Sequence, residues 1–283
     1  MYLRLFLRLL AGLPLPLIHF LGALAGLLGL LRTRHRKIVT DNLSAAGYYS
    51  AGMLLATAAE LGKGYLELIP IWLRPYHQIV TWVREVHGWE HVEAALARGK
   101  GILLLGPHLG CVELAGLYIA SRLPVTALYR APRQDWVHAM MQAGRRRGQA
   151  HMVEPNFKGV RALLAALKKN EAAWLLPDQS ANAGEGRVMR FLGRPAYMPT
   201  LPYRLHAATG ATPLVFVCER LGFGRGYRLW IEPLPALPTD LDAAAPLVNA
   251  SMERLIGRFP GQYLWSYRLH REQKGELPAA EAS

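Results

Sequence analysis

Two periods of apolar positions recur along the chain, and each predicts a different element. Short apolar runs bounded by turn residues predict buried strands at 101–106 (GILLLG), 123–130 (LPVTALYR) and 172–179 (AAWLLPDQ). Apolar residues at helical spacing predict helices at 157–168 and 242–258. Strands that alternate with helices are typical of a mostly parallel sheet with helices on its faces, so we predict an α/β fold with a central, mostly parallel sheet.

The rest of the pattern extends this alternation. Residues 38–100 are predicted to be mostly helical, because apolar residues recur at near-helical spacing in MLLATAAELGKGYLELI and no proline interrupts before Pro70. Further helices are predicted after Gly106 and at 91–98, 136–148 and 200–209, and further strands at 211–220 and 226–234. The segment GFGRG joins these last two strands as a hairpin turn.

A run of 23 residues without Lys, Arg, Asp or Glu covers positions 9–31. Its length suits a helix that crosses a hydrocarbon layer of about 30 Å, so we predict an N-terminal hydrophobic membrane-anchor helix. Pro14, Pro16 and His19 leave an oblique, half-inserted anchor as an alternative, and a cleaved signal peptide and a buried core helix are two more. The basic residues that flank the run are Arg4 and Arg8 before it and Arg32, Arg34, Arg36 and Lys37 after it. The positive-inside rule then places the rest of the chain in the cytoplasm.

These features divide the chain into three parts. Residues 1–37 are the membrane anchor with its basic flank, residues 38–271 form one α/β domain, and residues 272–283 are a loose C-terminal tail.

Composition excludes several classes of protein. With 52% apolar and 19% charged residues, the chain is not intrinsically disordered. Its two cysteines cannot form a disulfide framework or a four-thiolate zinc site, and the histidines show no ligand spacing, so we expect no metal. The formal net charge of +13 indicates an anionic partner: nucleic acid, an acidic membrane, or an acidic substrate or carrier.

Candidate chemistry lies at the end of the first predicted strand. His108 leaves this strand in GPHLGCVE, and Glu113 follows five positions later. Reactive groups of open α/β sheets lie at the carboxyl ends of strands. The two side chains can meet if His108 lies in the loop and Glu113 in the first turns of the next helix. The carboxylate would then orient the imidazole, which could take a proton from a hydroxyl. A helix-capping His and a surface Glu are an equal alternative.

Cys111 lies three residues after His108. A neighbouring base would make it a candidate acyl-accepting nucleophile. We favour a small buried core residue instead.

Several blocks in a fixed order resemble a known family. They are RKIVTDNL, GPHLGCVEL, YRAPRQDWVHAMMQAGRRRG, LKKNEAAWLLPDQ, MRFLGRPA, ATGATPLVFVCER and FPGQYLWSYRLH, and they span nearly the whole chain. Together they resemble the late acyltransferases of lipid A biosynthesis, the lauroyl and myristoyl transferases of the lysophospholipid acyltransferase superfamily. The chain departs from the family pattern at Gly261, where a carboxylate is usual, at Tyr267, where a His is usual, and at Leu192, where a second Phe is frequent.

The resemblance implies transfer of a fatty acyl chain from an acyl carrier protein thioester to the hydroxyl of a 3-hydroxyacyl chain on a lipid A precursor. No further cofactor is implied. His108 would be the general base and Glu113 its orienting carboxylate. The enzyme would lie at the inner membrane of a Gram-negative bacterium, with its catalytic domain on the cytoplasmic side. Its partners would be acyl carrier protein, the lipid A precursor and anionic inner-membrane lipids, and not nucleic acid.

The resemblance also gives four further residues a substrate-binding role. Arg130, Arg145 and Arg147 match family arginines and would contact phosphates or sugar acids of the acceptor, or the carrier protein. Asp178 matches the family's PDQ block and could pair with one of these arginines or cap a loop. For each arginine, a generic basic surface near anionic lipid is the alternative. Backbone N–H groups at the start of the helix after His108 could face an oxyanion.

Two other functions remain open from the sequence. One is an acyltransferase of the same superfamily that uses a glycerophospholipid, aminolipid or glycolipid acceptor. The other is a non-catalytic basic protein that binds membranes or nucleic acid, although such a protein would have no need for a His–Glu pair at a strand end.

Overall fold

The computed structural model describes residues 2–132 and 134–267. The helices are α1 (Tyr2–Gly12), α2 (Leu15–Gly29), α3 (Thr33–Ala45), α4 (Ala51–Leu73), α5 (Tyr76–Val80), α6 (Trp89–Ala97), α7 (Val112–Ala120), α8 (Asp135–Arg145), α9 (Phe157–Lys168), α10 (Leu201–Thr209) and α11 (Leu241–Arg258). The strands are β1 (Val83–His87), β2 (Ile102–Leu105), β3 (Val125–Leu128), β4 (Ala150–Val153), β5 (Ala172–Leu175), β6 (Gly186–Phe191), β7 (Arg194–Pro199), β8 (Thr212–Arg220) and β9 (Tyr227–Pro233). The predicted tail at 272–283 lies outside the described residues.

Seven strands form one sheet in the order β1-β9-β8-β2-β5-β3-β4. Neighbouring strands are parallel except β8 and β9, which form an antiparallel hairpin as the GFGRG turn predicts. A separate two-stranded hairpin is formed by β6 and β7. The prediction of a mostly parallel sheet with flanking helices is therefore confirmed.

Both faces of the central strands are buried. In β2, Leu103 and Leu105 belong to one apolar cluster, whereas Ile102 and Leu104 belong to a second cluster on the opposite face. Successive side chains of a strand point to opposite faces, so a strand covered by helices on both sides reads as a continuous apolar run. This burial explains why the pattern GILLLG predicted its strand.

The strands that the pattern missed are β1, β4 and the β6–β7 hairpin. Strands β1 and β4 are the two edges of the main sheet. Nearly all of their residues are exposed or only partly buried. An edge strand packs against one neighbour only, and it lacks the apolar run that identifies a central strand. The predicted, mostly helical segment 38–100 consequently contains β1 between α5 and α6.

The N-terminal apolar run does not form the single anchor helix that we predicted. It is divided between α1 and α2, which meet at an angle of 116°. Pro14 at the start of α2 and Pro16 in its first turn account for the break, because proline lacks the N–H that would continue the preceding helix. Within the described residues, no single helix is long and apolar enough to cross a membrane, and this bent pair is the one combination with suitable length and composition.

Candidate active site

The loop that carries His108 leaves β2 and is held by two distant parts of the chain. The backbone N–H of Leu264 donates to the His108 carbonyl at 3.0 Å, and the N–H of Gly110 donates to the Gln262 carbonyl at 3.1 Å. On the other side, the N–H of Cys111 donates to the Cys218 carbonyl at 2.8 Å. The loop is thus fixed between β8 and the closing segment 260–265.

Gly110 is required for this close approach. Its φ is +65°, and a Cβ atom at this position would overlap the carbonyl oxygen of Cys218. Only glycine combines this left-handed conformation with contact at backbone distance.

The carboxylate that contacts His108 is that of Asp178. One carboxylate oxygen accepts a hydrogen bond from the backbone N–H of His108 at 2.7 Å, and the other lies 2.6 Å from ring Nδ1. The Asp178 side chain is 1% exposed and that of His108 is 24% exposed. A carboxylate only accepts, so Nδ1 carries the proton in the neutral ring and Nε2 keeps a lone pair. No hydrogen bond to Nε2 is formed by the part of the chain that the structure describes.

Tyr263 adds a third member to this pair. Burial, followed by the charge of Asp178 and a hydrogen bond with it, raises the pKa of the Tyr263 hydroxyl well above its usual value. The phenol therefore stays protonated beside the carboxylate. Tyr263 is 1% exposed and forms an isolated bridge with Leu109, next to His108.

Glu113 lies in the first turn of α7, as predicted, but it contacts other residues. Its carboxylate accepts from Arg145 Nε at 2.9 Å, through a second bond from Arg145 Nη2, and from Trp72 Nε1 at 3.1 Å. Burial disfavours the charged guanidinium, but the attraction of Glu113 outweighs it and raises the pKa of Arg145. The Arg145 guanidinium is therefore charged where it binds Glu113.

The expectation that Glu113 orients His108 is not supported by this geometry. Asp178 follows β5, which is the direct neighbour of β2 in the sheet, so both residues leave adjacent strands at the same edge. Glu113 instead faces α4 and α8, which carry Trp72 and Arg145. Asp178 was assigned to substrate or arginine contacts from the sequence, and its partner is the histidine.

The three arginines have different surroundings. Arg130 and Arg145 line the cavity in front of His108, and exposed Arg130 donates to the Asn182 side chain at 3.0 Å. Arg147 is absent from the cavity lining and binds backbone carbonyls of Ile71, Arg74 and Gly144. Arg147 thus joins α8 to the end of α4 and does not line the cavity.

Cys111 is 3% exposed at the start of α7. Burial raises the pKa of its thiol well above the usual value. A buried thiol with a raised pKa is a poor nucleophile, which agrees with a core role for Cys111. Within the described ranges, no cluster of three or more His, Cys, Asp or Glu side chains could hold a metal ion, and the expectation of a metal-free reaction stays a prediction.

A cavity of about 980 Å³ opens in front of these residues. Its polar end includes His108, Glu113, Arg130 and Arg145. One part of its apolar lining follows a face of the sheet under α7 and α8, and its members are Gly116, Leu117, Val125, Ala127, Met141, Ala150, Met152 and Trp174. Other apolar lining residues come from α9 and α10, among them Phe157, Val160, Leu164 and Leu201. The strand residues come from paired positions, since Ala127 pairs with both Met152 and Trp174. The part of the cavity under α7 and α8 forms the apolar groove, and His108 lines the same cavity.

A second group of charged side chains lies behind the His108 loop, sealed from the cavity. The Arg220 guanidinium donates to Glu67 at 2.6 and 2.8 Å and to Glu60 at 2.7 Å. Glu67 also accepts from the Tyr227 hydroxyl at 2.7 Å and lies 3.1 Å from His19 Nε2. Burial opposes its charge, but Arg220 and His19 lower the pKa of Glu67 to about 2.

Known proteins resemble this chain over nearly its whole length. The sequence profile described as bacterial lipid A biosynthesis acyltransferase matches residues 2–272. The chain belongs to this family. This acyltransferase is 30% identical over 279 residues to the lipid A biosynthesis palmitoleoyltransferase of Escherichia coli K12, covering 96% of this chain and 89% of the relative. It is also 30% identical over 283 residues to the lauroyltransferase of the same organism, with 96% and 90% coverage.

A more distant relative acts on a different lipid. The phosphatidylinositol mannoside acyltransferase of Mycobacterium tuberculosis is 28% identical to this acyltransferase over 185 residues, which is 60% of this chain and 54% of the relative. The names of these relatives confirm the sequence-based recognition of the family.

Sequence reasoning missed three contributors to the site: Trp72, Gln262 and Tyr263. The last two lie in the block FPGQYLWSYRLH, which carried the resemblance without any assigned role. Trp72 had no signal of its own, because nothing in the local pattern relates the end of α4 to the start of α7.

Proposed function

We propose that this acyltransferase transfers a fatty acyl chain from an acyl carrier protein thioester to a hydroxyl of a lipid A precursor, on an acyl chain that the precursor already carries. The observation that carries the proposal is the His108–Asp178 pair at the polar end of an apolar groove, in a chain of this family.

The proposed base is Nε2 of His108. Asp178 holds the proton on Nδ1, so Nε2 removes the proton of the acceptor hydroxyl as its oxygen attacks the thioester carbonyl. The tetrahedral intermediate collapses to the new ester and expels the carrier thiolate, which takes the proton back from the imidazolium. A thioester is already activated, so no acyl-enzyme is needed.

Stabilisation of the oxyanion falls to fewer groups than the sequence suggested. The N–H groups of Leu109, Gly110 and Cys111 all donate to backbone carbonyls. Among the described residues, the N–H groups of Val112 and Glu113 at the start of α7 have no such acceptor, and both residues line the cavity. We assign the developing negative charge to these two donors, at the positive end of the helix dipole.

The apolar groove suits the acyl chain. Gly116 of α7 lies next to Trp174 of β5, and a Cβ atom on Gly116 would lie 4.0 Å from the indole ring. This is van der Waals contact, so the acyl chain lies beside Gly116 and Trp174 rather than between them, and the absence of a side chain at position 116 keeps the cavity open next to the indole. The groove therefore holds the chain of the donor while its carbonyl lies beside His108.

The cationic groups at the cavity mouth suit an anionic acceptor and an acidic carrier. Arg130 is exposed there, and Arg145 is held by Glu113 in a fixed orientation. Planar guanidinium groups bind phosphate through two parallel hydrogen bonds. We further propose that the enzyme acts on the cytoplasmic face of the inner membrane of a Gram-negative cell, on anionic lipid.

A second acceptor class has one observation in its favour. The relative from M. tuberculosis is named for phosphatidylinositol mannoside, so a glycosylated phospholipid acceptor is the competing proposal. The coverage of the relatives named for lipid A is larger, which favours the lipid A precursor.

Mass spectrometry of a reconstituted reaction tests the proposal. Purified protein is given mixed acyl carrier protein thioesters and a tetraacyl lipid A precursor, with a lysophospholipid and phosphatidylinositol mannoside as competitors. We expect a gain of one acyl group on the lipid A precursor, lost in Asp178→Asn and retained in the control Asp41→Asn, whose carboxylate is exposed. A gain on a competitor alone would transfer the assignment to the second acceptor class.

A further inference from the structure

The N-terminal helix α2 is part of the folded body over much of its length. Leu15, Ile18, His19 and Gly22 are buried on one side of it, and Leu15 belongs to the same apolar cluster as Ile71 and Trp82. A helix surrounded by lipid would have no such protein-facing side.

Glycines bring α2 into backbone contact with α4. A Cβ atom on Gly26 would overlap the carbonyl oxygen of Ala58, and a Cβ atom on Gly62 would overlap that of Gly22. Small residues at a four-residue spacing allow two helices to approach this closely. The contact extends over the central part of α2 and leaves no room for lipid on that side.

Buried polar groups also hold α2 in place. His19 Nε2 lies 3.1 Å from Glu67 and 3.2 Å from the Tyr227 hydroxyl, so α2 is joined to α4 and to β9. Glu67 in turn binds Arg220 of β8. Withdrawal of α2 into a bilayer would transfer the His19 side chain into hydrocarbon without these partners, which is unfavourable.

Both ends of α2 are tied to the same body. Before it, the Arg74 guanidinium binds the carbonyls of Ala11 and Leu13 at 2.6 and 2.5 Å. After it, α3 places Val39 in the core and joins Asn42 to the Trp265 carbonyl at 2.7 Å. A membrane-crossing helix would place its ends on opposite sides of the bilayer. With 15 residues, α2 is also only about 22 Å long.

The outer surfaces of α1 and α2 are nonetheless strongly apolar. Their exposed large apolar residues are Tyr2, Leu3, Leu5, Phe6, Leu9, Leu17, Phe20, Leu24, Leu27 and Leu28, and exposed Leu31 follows α2 directly. Phe223, 92% exposed in the β8–β9 turn, extends this surface, because the adjacent Gly224 packs against Pro16 of α2. Exposed basic side chains border it: Arg8, Arg32, Arg34, Arg36 and Lys37.

We propose that the described chain enters one leaflet of an anionic bilayer and does not cross it. The exposed surface of α1 and α2, with Phe223, lies among the acyl chains, and the bordering basic side chains contact anionic headgroups. The start of α1 and the catalytic body are then on the same side of the membrane. This arrangement is independent of the proposed reaction, because its tests read topology and binding.

Side-specific labelling tests the topology. One variant carries a single cysteine in a short polar extension before Met1, and a second carries Lys169→Cys on the exposed end of α9. Wild type is the control, because Cys111 and Cys218 are buried. Vesicles of both orientations receive a membrane-impermeant maleimide. We expect both variants to be labelled in the same orientation, whereas labelling from opposite sides would overturn the proposal.

Vesicle flotation tests the surface. The double variant Phe6→Asp and Leu9→Asp removes apolar side chains from the exposed surface of α1. The control is the double variant Lys168→Asp and Lys169→Asp, which changes exposed positions at the end of α9, outside the proposed membrane surface. On phosphatidylglycerol-containing vesicles at high salt, we expect the bound fraction to fall tenfold or more in the first pair only. Unchanged binding of the first pair would show that α1 does not contact the bilayer and would overturn the proposed surface.

Discussion

Two regions of this acyltransferase each join an arginine to a glutamate, and they differ in what surrounds the pair. The Arg145 and Glu113 side chains at the cavity are 25% and 11% exposed. Behind the His108 loop, the Arg220 and Glu67 side chains are 3% and 1% exposed. The first pair lines a groove that can receive an anionic ligand, whereas the second is enclosed by α2, α4 and the sheet.

The two pairs have the same chemical groups, so the difference in their roles comes from whether a ligand can reach them. A pair at a cavity can exchange a partner for a substrate group during a reaction. A sealed pair cannot, and its net contribution to folding is limited by the desolvation of both charges, although the loss of one partner is strongly destabilising. Substitutions in the two regions should therefore change different measurements.

The largest effect is expected from Asp178→Asn at the cavity. An asparagine can donate to Nδ1 and stabilise the tautomer with its proton on Nε2, so kcat should fall by about 10³–10⁴-fold. The thermal midpoint should change little compared with Asp41→Asn. Steady-state kinetics with a mass-spectrometric readout measure this, and near-wild-type turnover would remove Asp178 from the mechanism.

Glu67→Gln tests the sealed region. Removal of the charge leaves Arg220 without its main partner, and the free energy of unfolding should fall by about 3–5 kcal/mol. Activity per folded molecule should be nearly unchanged, because Glu67 is absent from the cavity lining. Denaturant titration in detergent measures the free energy of unfolding. A variant of normal stability and low activity would contradict the distinction between the regions.

The same residue predicts a pH dependence. The pKa of Glu67 is about 2 in the folded protein and about 4.3 when unfolded, so its ionised form stabilises the fold above the unfolded value. About 3 kcal/mol of stability should be lost as pH falls from about 5 towards 2. Glu67→Gln should lose less stability than wild type between pH 6 and pH 4, measured by denaturant midpoints. Parallel curves would show that Glu67 does not titrate as proposed.

Glu113→Gln at the cavity should have a smaller effect than Asp178→Asn. The neutral amide weakens the hydrogen bonds to Arg145 and has no contact with His108, so we expect kcat to fall by about 10²-fold. The apparent pKa of the base in the pH–rate curve should stay at the wild-type value, whereas a contact between Glu113 and His108 would shift it. A shifted curve would restore the original assignment of Glu113.

The smallest effect in energy should be a change of acyl preference in Gly116→Leu. The added side chain occupies part of the groove next to Trp174. Each methylene of the acyl chain that no longer fits loses about 1 kcal/mol of binding free energy. Competition among carrier thioesters of different length should then shift towards shorter chains, with Gly116→Ala intermediate. An unchanged product distribution would place the acyl chain elsewhere.

The sequence by itself determined the elements that are buried on every side, because their apolar residues form an unbroken run. Strand β2 is buried on both faces, and its apolar run predicted it, together with the position of His108 at its end and of Glu113 in the first turn of α7. Edge strands β1 and β4 were missed because their half-exposed residues have no such run. The ordered blocks also identified the family.

Only the tertiary structure decided which groups meet. Asp178 lies 70 residues from His108 and reaches it because β5 is the neighbour of β2 in the sheet, although β3 and β4 lie between them along the chain. Glu113, five residues away, is turned towards α4 and α8. Likewise, the apolar run 9–31 could not reveal that α2 packs on α4. Spacing along the chain defines a side chain's place on its own element, whereas its partner depends on the packing of distant segments.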